Sequence, residues 1–212
     1  MPMLSMDKIN ELVISAYNSI ADSYADAYAG HDETDFKYFD YFINHLPGEK
    51  ILDMGCGIGT NTNFLSHKGF KVIGIDASEK MLDNAQKLYP SLTFEKQDIC
   101  QTTYPSYSFD GIILAYTIEH FNDEGLLKLR DEITRLLRKG GLLFITSHDG
   151  NSEEIIPDPL DENVSIYYNF LTGDRIDSLF SDFQRVSYAS RTSYGPEEFL
   201  NDKVFITYQK RD

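Results

Sequence analysis

From Lys50 onward the chain alternates short apolar runs with stretches in which apolar residues recur at helical spacing. That alternation predicts a parallel sheet assembled by strand–helix–strand crossovers. Strands are expected at residues 50–54, 70–75, 92–97, 109–115 and 142–147. The run at 109–115 is apolar enough to be buried on both faces. Helices are expected between them. Residues 60–68 end at Gly69, and Ser78 caps a helix that runs to about Tyr89 and stops at Pro90. Residues 124–138 carry Leu126, Leu127, Leu129, Ile133, Leu136 and Leu137 at amphipathic spacing. Lys139-Gly140-Gly141 reads as the turn into the fifth strand.

The flanks follow a different pattern. Residues 1–46 look helical and rich in tyrosine (Tyr17, Tyr24, Tyr28, Tyr38, Tyr41), and they precede the sheet as a cap over its edge. Residues 149–168 are polar, hold Pro157 and Pro159, and read as an inserted loop. A loop of that length is commonly functional, and with the Tyr167-Tyr168 pair it is the expected cover of a substrate, ordinary surface packing being the alternative. A helix at 173–181 and strands at 184–190 and 203–209 follow, with a turn at Gly195-Pro196. The predicted organisation is one domain over 1–212: cap 1–46, core 50–148, insertion 149–171, and a C-terminal helix and strands 172–212.

Composition narrows the function classes. With 19 Lys and Arg against 34 Asp and Glu, the formal charge is −15. Such a field repels nucleic-acid phosphates and anionic lipid and suits a neutral or cationic small-molecule partner, although a merely solubilising acidic surface would look the same. The longest apolar runs are of strand length, too short to span a bilayer. Two cysteines without a disulfide pattern, and no secretory leader, point to the cytoplasm. The five histidines have no ligand spacing, so no metal is expected. The oligomeric state is left open.

The chemistry collects at strand ends. The first strand delivers Asp53 and then Gly55-Cys56-Gly57-Ile58-Gly59 into a helix. Glycines there permit turns closed to other residues and let a ligand approach the main chain. The second strand ends in Gly74-Ile75-Asp76, a carboxylate suited to ribose hydroxyls, or else to capping the helix that begins near Ser78. The third ends in Gln97-Asp98-Ile99. In an open sheet of this kind the carboxyl edge is where ligands bind.

This ordered set, together with Phe109-Asp110-Gly111-Ile112-Ile113-Leu114-Ala115 and Leu137-Arg138-Lys139-Gly140-Gly141, resembles the class I S-adenosylmethionine-dependent methyltransferases over roughly residues 50–147. The resemblance implies a Rossmann-like, doubly wound α/β fold with a seven-stranded, mostly parallel sheet and an antiparallel final strand. It implies S-adenosylmethionine as cofactor: Asp53 and the backbone of Gly55, Cys56, Gly57 and Gly59 at its methionine end, and Asp76 on the ribose. Asp98 and Ile99 would meet the adenine, Ala77 and Met81 would pack on it, and Ala115 and Tyr116 would line the floor. The segment 17–24 is similar to one that precedes this domain in small-molecule methyltransferases, where Tyr24 would reach the sulfonium or the substrate.

The reading that follows is methyl transfer to an O, N or C nucleophile of a small molecule. The electrophile belongs to the cofactor, so the protein must position the nucleophile and, if it arrives protonated, supply a base. His120, His148 and Tyr24 are the candidates for that role; Glu119 beside His120 reads as a local packing residue. The fourth strand runs on through Tyr116-Thr117-Ile118, without the Asn-Pro-Pro-Tyr run of nucleobase amine methyltransferases. Two alternatives stand beside it: a cofactor-binding regulatory module without turnover, and a nicotinamide-linked oxidoreductase. The last usually needs G-x-G-x-x-G for a pyrophosphate, whereas here the third glycine falls one place early and Asp53 would repel phosphate.

Overall fold

The computed structural model describes residues 4–29, 35–192 and 202–211; the Gly195-Pro196 turn lies outside them. The strands are β1 (Lys50–Met54), β2 (Lys71–Asp76), β3 (Thr93–Lys96), β4 (Phe109–Ala115), β5 (Leu137–His148), β6 (Glu153–Asp158), β7 (Asp161–Asn169), β8 (Phe183–Arg191) and β9 (Lys203–Lys210). The helices are α1 (Met6–Tyr28), α2 (Asp40–His45), α3 (Thr60–His67), α4 (Glu79–Leu88), α5 (Asp123–Leu136) and α6 (Gly173–Leu179). Seven strands form one sheet in the order β3-β2-β1-β4-β5-β9-β8. The first four pairings are parallel, and β9 runs antiparallel to both neighbours, as the resemblance implied.

The centre of the sheet explains itself. Ile51, Leu52, Ile112, Ile113, Leu114, Leu143 and Ile145 are fully buried, because helices cover both faces and leave no polar side for alternation. Helix α5 turns Leu126, Leu129, Ile133 and Leu136 inward while Leu127 stays exposed. The Ser78 cap is present, its Oγ accepting from Met81 N at 3.3 Å.

Three expectations need correction. Residues 139–141 are not a turn between elements but an irregularity inside β5, where the pairing with β4 shifts between Phe109↔Leu137 and Gly111↔Leu142. Gly140 takes φ +72°, and a Cβ on Gly141 would sit 2.9 Å from the carbonyl oxygens of Arg138 and Asp110, so two backbones meet where a side chain has no room. Residues 149–168 are not a loop: β6 and β7 pair antiparallel as a separate two-stranded sheet. Charged residues and two prolines mask an alternation, Val164, Ile166 and Tyr168, that packs with Ala16, Ile20 and Ala21 of α1. Nor does this hairpin cover the site; it buttresses the helix that does.

That helix is α1. Asn18 Oδ1 accepts from Ser78 Oγ at 2.9 Å and Lys80 N at 3.1 Å, and Asn84 Nδ2 donates to Ala21 O and to Asp22 Oδ1 at 3.1 and 2.9 Å. These bonds pin α1 on α4, so the N-terminal cap lies across the carboxyl edge of the sheet. The following 3-10 turn, Phe36–Phe39, lays Phe39 on Phe144 and Tyr38 on Phe205 with ring centroids 4.1 and 3.7 Å apart. No described helix is long and apolar enough to cross a membrane.

Candidate functional site

At the end of β1 the chain turns through Gly55, Gly57 and Gly59, all with positive φ. Gly55 N and Cys56 N both donate to Ile75 O, at 2.8 and 3.0 Å, tying the loop to β2. The three glycines serve different ends. A Cβ on Gly55 would lie 2.5 Å from the Thr117 side chain, and one on Gly59 2.6 Å from Phe94; one on Gly57 would meet nothing within 4 Å. Gly57 therefore faces open space where a ligand can touch the backbone.

Asp76 organises this turn. Its Oδ2 accepts from Gly57 N at 2.9 Å and its Oδ1 from Ser78 N at 2.8 Å. Removal from water raises its pKa above the usual carboxylate value, and these N–H donors partly oppose that. Asp53 lies one layer deeper, wholly buried; Thr62 Oγ1 donates to its Oδ2 at 2.6 Å, while its Oδ1 has no hydrogen-bond partner. Burial pushes its pKa up to about 7, against the pull of the Thr62 bond.

A cavity of about 280 Å³ opens over the loop. Its walls include Gly55, Cys56, Gly57, Asp76, Ala77, Met81, Asp98, Ile99, Ala115, Tyr116, Tyr24 and His120, so the structure gathers most of the sequence-predicted residues into one space. Asp53, Gly59 and His148 are not among the walls. His148 sits behind them, its Nδ1 2.8 Å from Glu119 Oε1, while Glu119 Oε2 accepts from Ser147 Oγ and His148 N at 2.8 and 2.9 Å. Glu119 is fully buried; desolvation alone would raise its pKa, but the adjacent His148 holds it down at about 2.

His120 is differently placed. Its Nδ1 lies 3.0 Å from the Tyr167 carbonyl oxygen, which can only accept, so Nδ1 carries the proton. That leaves the Nε2 lone pair to take the Tyr17 hydroxyl proton at 2.9 Å. Burial lowers the pKa of His120 and raises that of Tyr17 well above its usual value. The pair is a neutral base holding the proton of a cavity-wall phenol.

Other walls were missed in the sequence: Asn10, Val13, Ile14 and Tyr17 of α1, then Asp35, Phe36, Phe39, Thr146 and Phe205. Tyr17 had a signal, since it opens the segment singled out for Tyr24. Tyr116 holds a left-handed φ of 53°, uncommon and costly for a bulky residue. That conformation aims its hydroxyl at Asp35 Oδ2, 2.7 Å away. Among the described residues no three His, Cys, Asp or Glu gather as metal ligands.

Comparison with known proteins agrees with this geometry. Residues 51–141 match the family model described as a methyltransferase domain. A phosphoethanolamine N-methyltransferase of Arabidopsis thaliana is 34% identical over 127 residues, covering 58% of this chain and 26% of that protein. An uncharacterized methyltransferase of Anoxybacillus flavithermus is 30% identical over 134 residues, covering 60% of this chain and 63% of that one. The chain thus spans about a quarter of the plant relative's length. Among solved structures, a Burkholderia thailandensis 1,6-didemethyltoxoflavin-N1-methyltransferase superposes with a TM-score of 0.78 at 17% identity, covering 100% of this chain and 93% of that one; at that identity the likeness concerns the fold. Residues 51–141 are thus similar in sequence to a methyltransferase domain, and the strand order and glycine turn set that match on a Rossmann-like sheet.

Proposed function

We propose that the protein transfers a methyl group from S-adenosylmethionine to a small-molecule nucleophile, and that Tyr17 and His120 take up the proton the nucleophile gives up. The observation that carries this reading is the Tyr17–His120 hydrogen bond opening onto the same cavity as the glycine turn.

The residues present fit the cofactor. Gly57 leaves open space for backbone approach. Asp53 lies beneath the loop, its Oδ1 buried and without a hydrogen-bond partner, so its charge acts on a bound ligand through the loop backbone. Asp76 keeps spare lone pairs for ribose hydroxyls, Ala77, Met81 and Ile99 offer apolar surface to a purine, and Asp98 stands beside them. When bound, the cofactor supplies an electrophilic methyl group on a sulfonium. The chain does the rest: α1 closes the cavity against water, the walls orient the nucleophile, and Tyr17 oxygen receives its proton while passing its own to His120 Nε2. The imidazolium so formed faces the ionised Glu119, which stabilises it in a place water does not reach. His148 and Ser147 orient that carboxylate.

The cavity walls carry Asp35, Asp76 and Asp98 and no Lys or Arg. This supports a neutral or cationic acceptor over a phosphorylated one such as the plant relative's name indicates. Cys56 and Cys100 are free thiols, in keeping with a reducing cytoplasm.

Calorimetry with S-adenosylhomocysteine and with NAD, followed by a labelled-methyl screen over a small-molecule panel, tests the reading. Binding of S-adenosylhomocysteine and label transfer lost in Tyr17→Phe are expected. NAD binding without a response to S-adenosylhomocysteine would sink it; cofactor binding with no transfer to any acceptor in cell extract would leave a non-catalytic module.

A further inference from the structure

His120 ends a turn that is a weak support by itself. Ile118–His120 is three residues of 3-10 helix, closed by His120 N donating to Thr117 O at 3.1 Å, and hydrogen-bond geometry in such turns is poorer than in an α-helix. Strand β7 supplies restraint from outside. The Tyr167 carbonyl accepts from His120 Nδ1 at 3.0 Å. Two residues further along the strand, Asn169 Nδ2 donates to Phe121 O at 2.8 Å. One strand thus grips two consecutive residues at the end of the turn, and both grips are anchored. The Tyr167 ring packs into the main core. Asn169 is wholly buried, its Oδ1 accepts from Arg175 Nη1 at 3.0 Å, and Arg175 is in turn paired with Asp123. An apolar side chain could fill the same space with no polar group to satisfy, so a buried amide bonded at both ends specifies one arrangement of the segments it joins.

We propose that the β6–β7 hairpin positions the proton acceptor, with Asn169 as the positioning residue: by holding Phe121 O it keeps the Tyr167 carbonyl against His120 Nδ1, and so keeps the Nε2 lone pair on the Tyr17 hydroxyl. The bond made by one ring nitrogen sets which of the two carries the proton. A ring released from the Tyr167 carbonyl also samples the tautomer protonated at Nε2, which has no lone pair to offer Tyr17. The titratable groups around the ring are Tyr17 of α1, Asp76 of β2, Glu119 of the same turn, His148 of β5 and Tyr168 of β7. All of them are common to the wild type and the variants below. The proposal rests on the Tyr17–His120 reading for its catalytic consequence, while the state of the ring is measurable without turnover.

Long-range proton–nitrogen NMR of the histidine-labelled full chain, with His120→Gln to assign the signals, reads the tautomer directly. Wild type should show His120 as a neutral ring protonated at Nδ1. Asn169→Leu removes both amide bonds; the isosteric Asn169→Asp keeps an acceptor for Arg175 and loses the donor to Phe121 O. Both should show His120 as a mixture of the two tautomers, a change that a merely structural asparagine would not cause in the folded protein. Label transfer from methyl-labelled S-adenosylmethionine into the small-molecule fraction of a cell extract should fall about 10- to 100-fold, with S-adenosylhomocysteine affinity unchanged. Arg175→Met frees one end of the buried amide and should give the same change in smaller measure. A ring fixed at Nδ1 in every folded variant overturns the proposal, as does transfer that falls only in step with the folded fraction. If neither Asn169 variant folds, the Arg175→Met spectrum decides. Mixed tautomers with undiminished transfer would support the clamp and count against the Tyr17–His120 reading instead.

Discussion

Asp53→Asn should make the protein more stable at pH 8 while weakening its hold on the cofactor. Asp53 is wholly buried, with one oxygen on Thr62 and the other on nothing, and burial raises its pKa from 3.8 to about 7. A raised carboxyl pKa means that the folded state binds the proton more tightly than the unfolded chain does. Between about pH 4 and pH 7 the native protein therefore carries the extra proton, and stability falls as pH rises through that window. The accumulated cost at pH 8 is on the order of 4 kcal/mol, from about three pKa units at 1.36 kcal/mol each. Asparagine removes that cost, keeps an oxygen for Thr62, and leaves an unpaired amide worth about 1–3 kcal/mol in the other direction. The net is a gain of about 1–3 kcal/mol at pH 8, several degrees in Tm, shrinking to parity or a small loss at pH 5. The two stability curves should converge or cross between those values. Cofactor affinity should move the other way: if binding requires the ionised form, S-adenosylhomocysteine should bind wild type about tenfold tighter at pH 8 than at pH 6, and the asparagine variant more weakly and without that slope. Thermal denaturation from pH 5 to 8, with calorimetric titration at each pH, measures both. A wild-type stability that rises from pH 6 to 8, or an affinity flat in pH, would refute the placement of this buried charge.

Three further perturbations separate the roles assigned above. Tyr17→Phe should cut methyl transfer at least 100-fold and leave S-adenosylhomocysteine affinity within twofold, because only the relayed proton is lost; since burial lowers the His120 pKa, the wild-type rate should hold steady as pH falls through 6.5 and drop only below it, as a pH–rate profile will show. Gly55→Ala should be far more damaging than Gly57→Ala, because the first drives a methyl to 2.5 Å from Thr117 while the second meets open space and costs about 1–2 kcal/mol of backbone strain; equal losses of Tm would contradict the division of labour within the turn. Asn84→Ala should cost about 1–3 kcal/mol and speed amide exchange along α1 more than along β4, since it cuts two bonds that dock α1 on α4.

How much of this could be read from the chain depends on the distance over which each feature is determined. The cofactor half is local. Gly55–Gly59, Asp76 and Asp98–Ile99 each sit at the end of a strand whose apolar run announces it, and a parallel sheet brings consecutive strand ends to one edge without further information. The walls from α1 obey no such rule. Tyr17 meets His120 across 103 residues, and nothing in the periodicity of α1 says which strand ends it will cross. His148 shows the converse: its position just past the fifth strand looked right, yet the buried Glu119 claims its ring and turns it away from the cavity. The β6–β7 hairpin was hidden by its own composition, since acidic residues and prolines dominate 153–163 and most of the core-facing positions lie from Val164 onward.

The same division bears on how such a site changes over evolution. The family match stops at residue 141, and much of the cavity wall is built outside it: Asn10, Val13 and Tyr17 before it, with Asp35, Phe36 and Phe39, and Thr146 and Phe205 after it. Those walls hang on the sheet through ring contacts such as Tyr38 on Phe205 and Phe39 on Phe144. Substituting them alters the shape presented to an acceptor while Asp76 keeps its bonds to Gly57 and Ser78. Tyr116 is the exception, for it touches both: its backbone directly follows β4 and its hydroxyl reaches Asp35. Its left-handed φ of 53° carries the side chain into that hydrogen bond, which offsets part of the cost of a conformation that a bulky residue rarely adopts.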